Sequence, residues 1–489
     1  MAQPDPQAVS PWYLRNITQA LALNEATGNV YVRTDAQLTI GNVGNVNVTD
    51  VEILAMGNID ISGNTMPVSG NVTVFQGTDP WAVTGNVNAT ITGGNVSTTI
   101  GGTNLDAFGR LRVSNPVTLF DSQNRYIDGD QFSNITATGG NVVYVANESS
   151  FNLNVSTASG SSVIRQSKTV QAYQPGKSLL IMNTFAMATL KANLTQRVGY
   201  FTADNGIYFE AAGTTLNLVI RSSVTGGVVE ERIPQASWNG DRLNGAGASG
   251  ITLDPTLTQI FWCDVEWLGV GNVRTGFVIN GQFIVCHTFQ HANQPGNTTV
   301  YMTTATLNPR YEITNTGATS GASTMKQICS TVISEGGYTP NTKIGYVTNN
   351  TTVTRISSAN TVTSLCSIRL NPAYPDAVVV PAQLDLLLLD VRYGQFQLIE
   401  NATFTASFSN VAGSVVQTAI HSNVITDGTV VYSGLTSSRD EVEIGDDVKK
   451  RIQLWRTAAG TPSTLTLAVA YTSANADLLW KLGWEELTS

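Results

Sequence analysis

Charge is scarce in this chain. Only 12% of its 489 residues are Asp, Glu, Lys or Arg, the net charge is −9, and no basic run occurs. A nucleic-acid groove would lack its phosphate-neutralising cations, so no nucleic-acid partner is expected. Histidine numbers three and cysteine four. Cys263, Cys286, Cys329 and Cys366 are widely spaced with no CxxC pair. Free, buried thiols in a chain folded in a reducing cytoplasm are expected, and spacing alone also permits a disulfide. His287 and His291 are four apart with no third ligand nearby, short of the three or four that a zinc site requires. Long apolar runs are missing as well. The best candidate, AVVVPAQLDLLLLDV, is broken by Pro381 and Asp385; it reads as two buried strands, and no membrane insertion is expected. The opening MAQPDPQAVSPWYLRN is polar and has no signal-peptide core. Neither GxSxG nor a P-loop is present. No catalytic residue, metal site or cofactor is therefore expected.

What the chain does hold is Gly, Asn, Thr, Ser and Val, a mixture that favours strands and turns over helices. In the first hundred residues Gly-Asn-Val begins at Gly28, Gly41, Gly44, Gly70, Gly85 and Gly94, with Gly-Asn-Ile at Gly57. Gly-Asn supplies the positive φ of tight turns, and the short intervening pieces (VNVTD, IDISG, VTVFQ) alternate like strands. Such short strands bury little within one chain and must stack on other repeats or other copies. Residues 36–104 are accordingly expected to form a repetitive β stalk, trimeric in the favoured reading; an ordinary β domain of many hairpins is the competing one. Residues 1–35 form an N-terminal attachment arm, with Trp12, Tyr13 and Leu14 as candidate docking residues, a short helix over ITQALALNEA and a strand at VYVRT. Residues 105–126 read as a junction in which Leu119 and Phe120 anchor the next domain.

The remainder reads as all-β. Residues 127–345 hold about ten strand-like segments at sandwich spacing, and GFVING–QFIVCH is a hairpin turning on Asn280-Gly281. A jelly-roll or lectin-like β-sandwich is expected there. A second, smaller β-sandwich is expected over 346–489, closing with a helical turn in NADLLWKLGWEELTS.

Several blocks of sequence carry a resemblance: GGTNLDAFGRLRVSNPVTLFDSQNRY, RVGYFTADNGIYFE, WNGDRLNGAGASGITLDPTLTQIFWCDVEWLGVG and STMKQICSTVISEGGY, with YLRNITQALALNEATGNVYVRT in the arm. Together they resemble a family of structural proteins of tailed marine bacteriophages, cyanophages included. The resemblance implies a virion component assembled in the host cytoplasm, most naturally a homotrimeric tail or neck fibre or spike. Its arm would contact other virion proteins and its sandwiches a host surface glycan or a neighbour. A capsid decoration or head-fibre protein is one alternative, and a glycan-degrading tailspike is another.

The sharpest enzymatic lead is FWCDVEWLG. Asp264 and Glu266, two apart on a strand, share one face. Lectin-fold glucanases carry Glu-x-Asp-x-Glu on such a strand, with the first Glu as nucleophile. Here that position is Trp262, so the two-carboxylate mechanism lacks its nucleophile. Asp264 and Glu266 stand instead as candidate glycan contacts, together with Trp238, which lies in the polar, glycine-rich loop SWNGDRLNG and is expected at the surface. Trp262 and Trp267 lie on a mostly apolar strand and are expected to pack in the core.

Overall fold

Alternating Val, Ile, Thr and aromatic residues fold into strands throughout the described chain. The computed structural model describes residues 21–23, 30–32, 115–125, 129–339, 341–437, 439–444 and 452–487. These fall into two units, Met1–Thr98 and Thr99–Ser489. In the first, Leu21–Leu23 pairs antiparallel with Val30–Val32. Of VYVRT, the described Val30–Val32 is a strand, whereas the helix expected over ITQALALNEA is replaced at its centre by a strand: pairing with the β-prone VYV outweighs the helical propensity of Leu and Ala. The candidate docking residues Trp12, Tyr13 and Leu14, and the Gly-Asn-Val stalk, lie outside the described residues.

The second unit is all-β. Among the described residues it has no α-helix, only strands and two 3-10 turns, and every strand pair is antiparallel. Its first part is a two-sheet sandwich. One sheet runs Val229–Pro234, Thr215–Ser222, Gly206–Ala212, Leu194–Phe201, Pro309–Asn315, Ser162–Ser167, Phe132–Ala137. The other runs Gln282–Phe289, Val273–Ile279, Gln259–Val265, Leu179–Ala186, Ser323–Ser334, Ser150–Val155, Asn141–Val145. Val117–Ser122 adds to this second sheet by pairing with Ser323–Ser334. The stretch read as a junction is thus partly a strand of the sandwich, and its alternation puts Phe120 into the core, edge-on to Phe132 at 5.7 Å. Between the sheets, Phe209 meets Phe277 edge-on at 5.1 Å, a geometry that aromatic quadrupoles favour, and lies tilted against Phe261 at 6.1 Å. The hairpin at Asn280-Gly281 has positive φ at both residues, 53° and 74°, the conformation that a two-residue type I′ turn requires.

The outward face of the first sheet carries a chain of ion pairs. Glu312, Arg197 and Glu210 are direct neighbours across three strands. Arg197 donates to Glu210 at 2.8 Å and to Glu312 at 3.1 Å; Arg310 holds Glu312 (Nε to Oε1, 2.6 Å); Arg232 reaches Glu210 at 2.9 Å and also Glu230, which pairs with Arg221 at 2.7 Å. Phe201 and Tyr208 pack together beneath it, rings tilted and 4.5 Å apart, with the Arg221 guanidinium 5.1 Å from the Tyr208 ring. Only a charge lattice that supplies its own counter-ions sits this deep without large cost.

The second sandwich has its own core. One sheet runs Thr342–Thr348, Ala476–Leu487, Val379–Leu388, Arg439–Glu443, with Thr354–Ile356 also on Ala476–Leu487. The other runs Ser409–Asn410, Val416–Ile420, Thr363–Leu370, Thr464–Tyr471, Gly394–Glu400, Thr429–Thr436. Two expectations change here. The terminal helical turn is instead a twelve-residue strand, Ala476–Leu487. Its alternation buries Leu478, Trp480, Leu482 and Trp484 on one face, a period of two that no helix satisfies. AVVVPAQLDLLLLDV gives one strand, not two: the register slips between Pro381 and Gln383 and the ladder continues, because a bulge accommodates the missing proline N–H.

Candidate functional site

On strand Gln259–Val265, alternation sends Phe261, Cys263 and Val265 into the core and turns Trp262 and Asp264 to the opposite, outer face of the sheet. Asp264 lies directly across from Arg274 on the neighbouring strand, and Arg274 Nη2 forms an ion pair with Asp264 Oδ2. Thr288 is the next residue in that row, opposite Arg274. From the other side, the turn at Gln174–Lys177, with Gly176 at φ 82°, brings in Lys177, whose Nζ donates to Gln174 Oε1 at 2.8 Å. Ser178 follows and donates to Glu335 Oε2 at 2.6 Å. The strand ends at Val265, leaving Glu266 exposed at the mouth of the loop. These residues line an open pocket of ≈ 450 Å³.

The loop beyond Glu266 is tightly held. Gly271 donates to Trp267 O at 2.7 Å, and a Cβ at position 271 would lie 1.8 Å from Glu266 O, so only glycine closes the turn. Leu268, in the left-handed region at φ 38°, donates its N–H to Tyr173 Oη at 3.1 Å. Tyr173 packs edge-on against Trp267 at 5.6 Å, and burial raises its pKa. Behind the pocket, burial, helped by the Asp264 charge, pushes the Cys263 thiol far above its usual range.

The pocket therefore offers one carboxylate already engaged by a guanidinium, one exposed carboxylate, an ammonium and hydroxyls. That set can hold a hydroxyl-rich ligand by several polar contacts. It does not present two free carboxylates flanking one bond, as glycoside hydrolysis demands. Trp262 stands at the nucleophile's position, the first of the three acids in that pattern, and is buried against Phe283, ring centroids 5.3 Å apart.

The sequence reading placed Asp264 and Glu266 on one face, and both line the pocket. Trp238 is a correction: it is 1% exposed and belongs to the core. Its Nε1 donates to Ile233 O at 3.0 Å, while Asn239 ties its loop to the sheet edge through Thr288. The polarity of the loop thus serves its own hydrogen bonds, and the indole turns inward. Trp262 and Trp267 keep the expected packing in part. Trp262 is buried on the outer sheet face, and Trp267 is half-buried and packs against the core from its edge. The histidines do not meet. His287 Nδ1 accepts from Asn239 N at 3.2 Å, whereas His291 stacks on Tyr301 at 3.9 Å. Among the described residues no group of three or more metal-ligating side chains forms. Arg274, Lys177 and Thr288 were missed from sequence; a cation ten residues along the same hairpin from Asp264 is the signal that could have indicated Arg274.

No family model matches the chain, and no curated protein matches it. Similar solved structures include a putative β-glucanase from Mycobacterium abscessus, at 12% identity and TM-score 0.32 over 44% of this chain and 100% of that one. A β-1,3-glucanase from Mycobacterium marinum is similar at 12% identity and TM-score 0.31, over 44% and 98%. A carbohydrate esterase from a Shiga toxin-encoding bacteriophage, phi24B, is similar at 12% identity and TM-score 0.27, over 45% and 100%.

Proposed function

We propose that the chain is a non-catalytic structural component of a phage virion, a fibre or spike whose larger sandwich contacts saccharide through the pocket at Asp264 and Glu266. The observation that carries the saccharide part is the Asp264–Arg274 pair set beside an exposed Glu266 and a buried Trp262. A surface pocket of hydroxyls and balanced charge suits multiple hydrogen bonds to sugar and withholds the second free acid that cleavage needs. The virion part is supported by the sequence blocks quoted above. In this reading the arm binds other virion proteins and the Gly-Asn-Val region trimerises.

Retention of the purified chain on host surface polysaccharide, with reducing ends assayed alongside, tests the contact. Binding without sugar release is expected, and Asp264→Ala is expected to weaken it; release of reducing ends that Asp264→Ala abolishes would replace binding by hydrolysis. Native mass tests the assembly: three copies of the 52.0 kDa chain are expected, and a stable monomer refutes the trimer. Cryo-EM of the particle distinguishes tail or neck from capsid.

A further inference from the structure

A second cavity, ≈ 350 Å³, lies where the two sandwiches meet. The larger sandwich contributes Gln166, the Thr202–Asn205 turn and Arg310; the smaller contributes Asp376 and the turn beginning at Arg456. That turn is closed by an Arg456–Pro462 bridge and Gly460 at φ 86°. It is seated on the larger sandwich: Ala458 N donates to Ser133 Oγ at 2.8 Å and Gln453 Nε2 to Val170 O at 3.3 Å.

Three cations line this cavity, and two are already engaged. Lys168 Nζ is 2.5 Å from Asp130 Oδ1 and lies over the Trp455 ring. Arg310 is held by Glu312 and by Gln166 Oε1 at 2.6 Å. Arg456 differs. Its Nε and Nη2 are both buried, and neither has a hydrogen-bond partner. Burial lowers its pKa, with the Asp376 and Asp204 charges opposing that. A guanidinium taken from water without acceptors is costly, and such groups are retained where something supplies the acceptor.

We propose that this interdomain cavity binds the carboxylate of an acidic sugar, with Arg456 as the clamp. A guanidinium presents two parallel N–H groups that match the two oxygens of a carboxylate. Ser223, Thr303 and Thr304 offer hydroxyls around it, and Asp204 and Asp376 can accept from ring hydroxyls. The same two aspartates repel a phosphate dianion, so one negative charge on a hydroxyl-rich ring fits better than bare phosphate. The proposal does not depend on the sheet-face pocket or on the virion reading.

Calorimetric titration of the full chain with glucuronate, glucose, acetate and inorganic phosphate tests it. Glucuronate is expected to bind at least about tenfold more tightly than any of the other three. Arg456→Met is expected to lose that binding while its Tm without ligand equals or exceeds that of the unaltered chain, since the side chain removed has two unsatisfied donors. Arg456→Lys, which keeps the charge but not the fork, is expected to weaken binding about tenfold. Tighter binding of phosphate, no binding of glucuronate, unchanged binding in Arg456→Met, or a ligand-free Tm loss in that variant would each overturn the assignment. Should both variants fail to fold, a crystal of the unaltered chain soaked with glucuronate decides: density on Arg456 supports the clamp, and an empty cavity refutes it.

Discussion

Removing Glu210 is the most informative perturbation of the larger sandwich. Its carboxylate is 1% exposed and accepts from Arg197 Nε at 2.8 Å and Arg232 Nε at 2.9 Å. Glu210→Gln retains the shape and deletes the charge. A hydrogen bond to a charged partner is worth about 1.5–3 kcal/mol, so two of them set an upper bound of about 6 kcal/mol. Each guanidinium keeps one other carboxylate, Glu312 for Arg197 and Glu230 for Arg232, which brings the expected loss to about 3 kcal/mol, the lower end for a broken buried pair. For a domain of this size that is a fall in Tm of about 6–12 °C, measured by scanning calorimetry. Because Glu210 is buried, most of the loss should persist at 1 M salt, where the screening length is about 3 Å; the Arg232 guanidinium, 42% exposed, is the part that salt screens. The triple variant Glu210→Leu, Arg197→Met, Arg232→Met removes the charges together and should recover most of the loss. A single-variant fall below about 2 °C, or a triple variant additive in its parts, would show that the lattice acts as screened surface charge and refute the reasoning.

Other expectations follow from the same description. Burial raises the Glu230 carboxyl, but hydrogen bonds from Tyr208 and Arg221 and the Arg221 and Arg232 charges outweigh it and bring it down to about 2. Its folded value lies below the unfolded one, so its stabilising effect is complete above the ordinary carboxyl value of 4.5 and is lost as pH falls through about 2; urea melts across that window should show a flatter pH dependence for Glu230→Gln. Cys263, Cys286 and Cys366 are buried free thiols, with burial pushing Cys286 up to about 12, while Cys329 is partly exposed. Iodoacetamide on the native chain should therefore label Cys329 first by mass spectrometry; prior labelling of Cys263 would contradict the core. Trp238→Ala should cost about 3–5 kcal/mol in a denaturant melt, where a solvent-exposed indole would cost almost nothing.

How much of this was legible in the sequence depended on how local the signal was. The hairpin at Asn280-Gly281 was plain, because two adjacent residues able to take positive φ suffice. The common pocket of Asp264 and Glu266 was legible in part: the strand period turns Asp264 outward, but the strand stops at Val265 and Glu266 reaches the pocket from the loop. Trp238 was not, since its burial is arranged by Asn239 bonding to Thr288, 49 residues away. The ion lattice was invisible for the same reason: Arg197 and Glu312 are 115 residues apart, and nothing near either residue announces the other. Ala476–Leu487 misled because Leu, Trp and Glu also suit a helix, and only its neighbours Thr342–Thr348 and Val379–Leu388 impose the extended form.

The pairing of Val117–Ser122 with Ser323–Ser334 joins the two ends of the larger sandwich. On a ribosome the first of these strands emerges long before its partner. At about 5–20 residues per second, the wait is roughly 10–40 s, during which the early strands expose unpaired edges and apolar faces. Synthesis of this protein should therefore lean on chaperones that shield nascent β-structure, and a premature stop shortly before Ser323 should yield aggregate rather than a smaller folded domain.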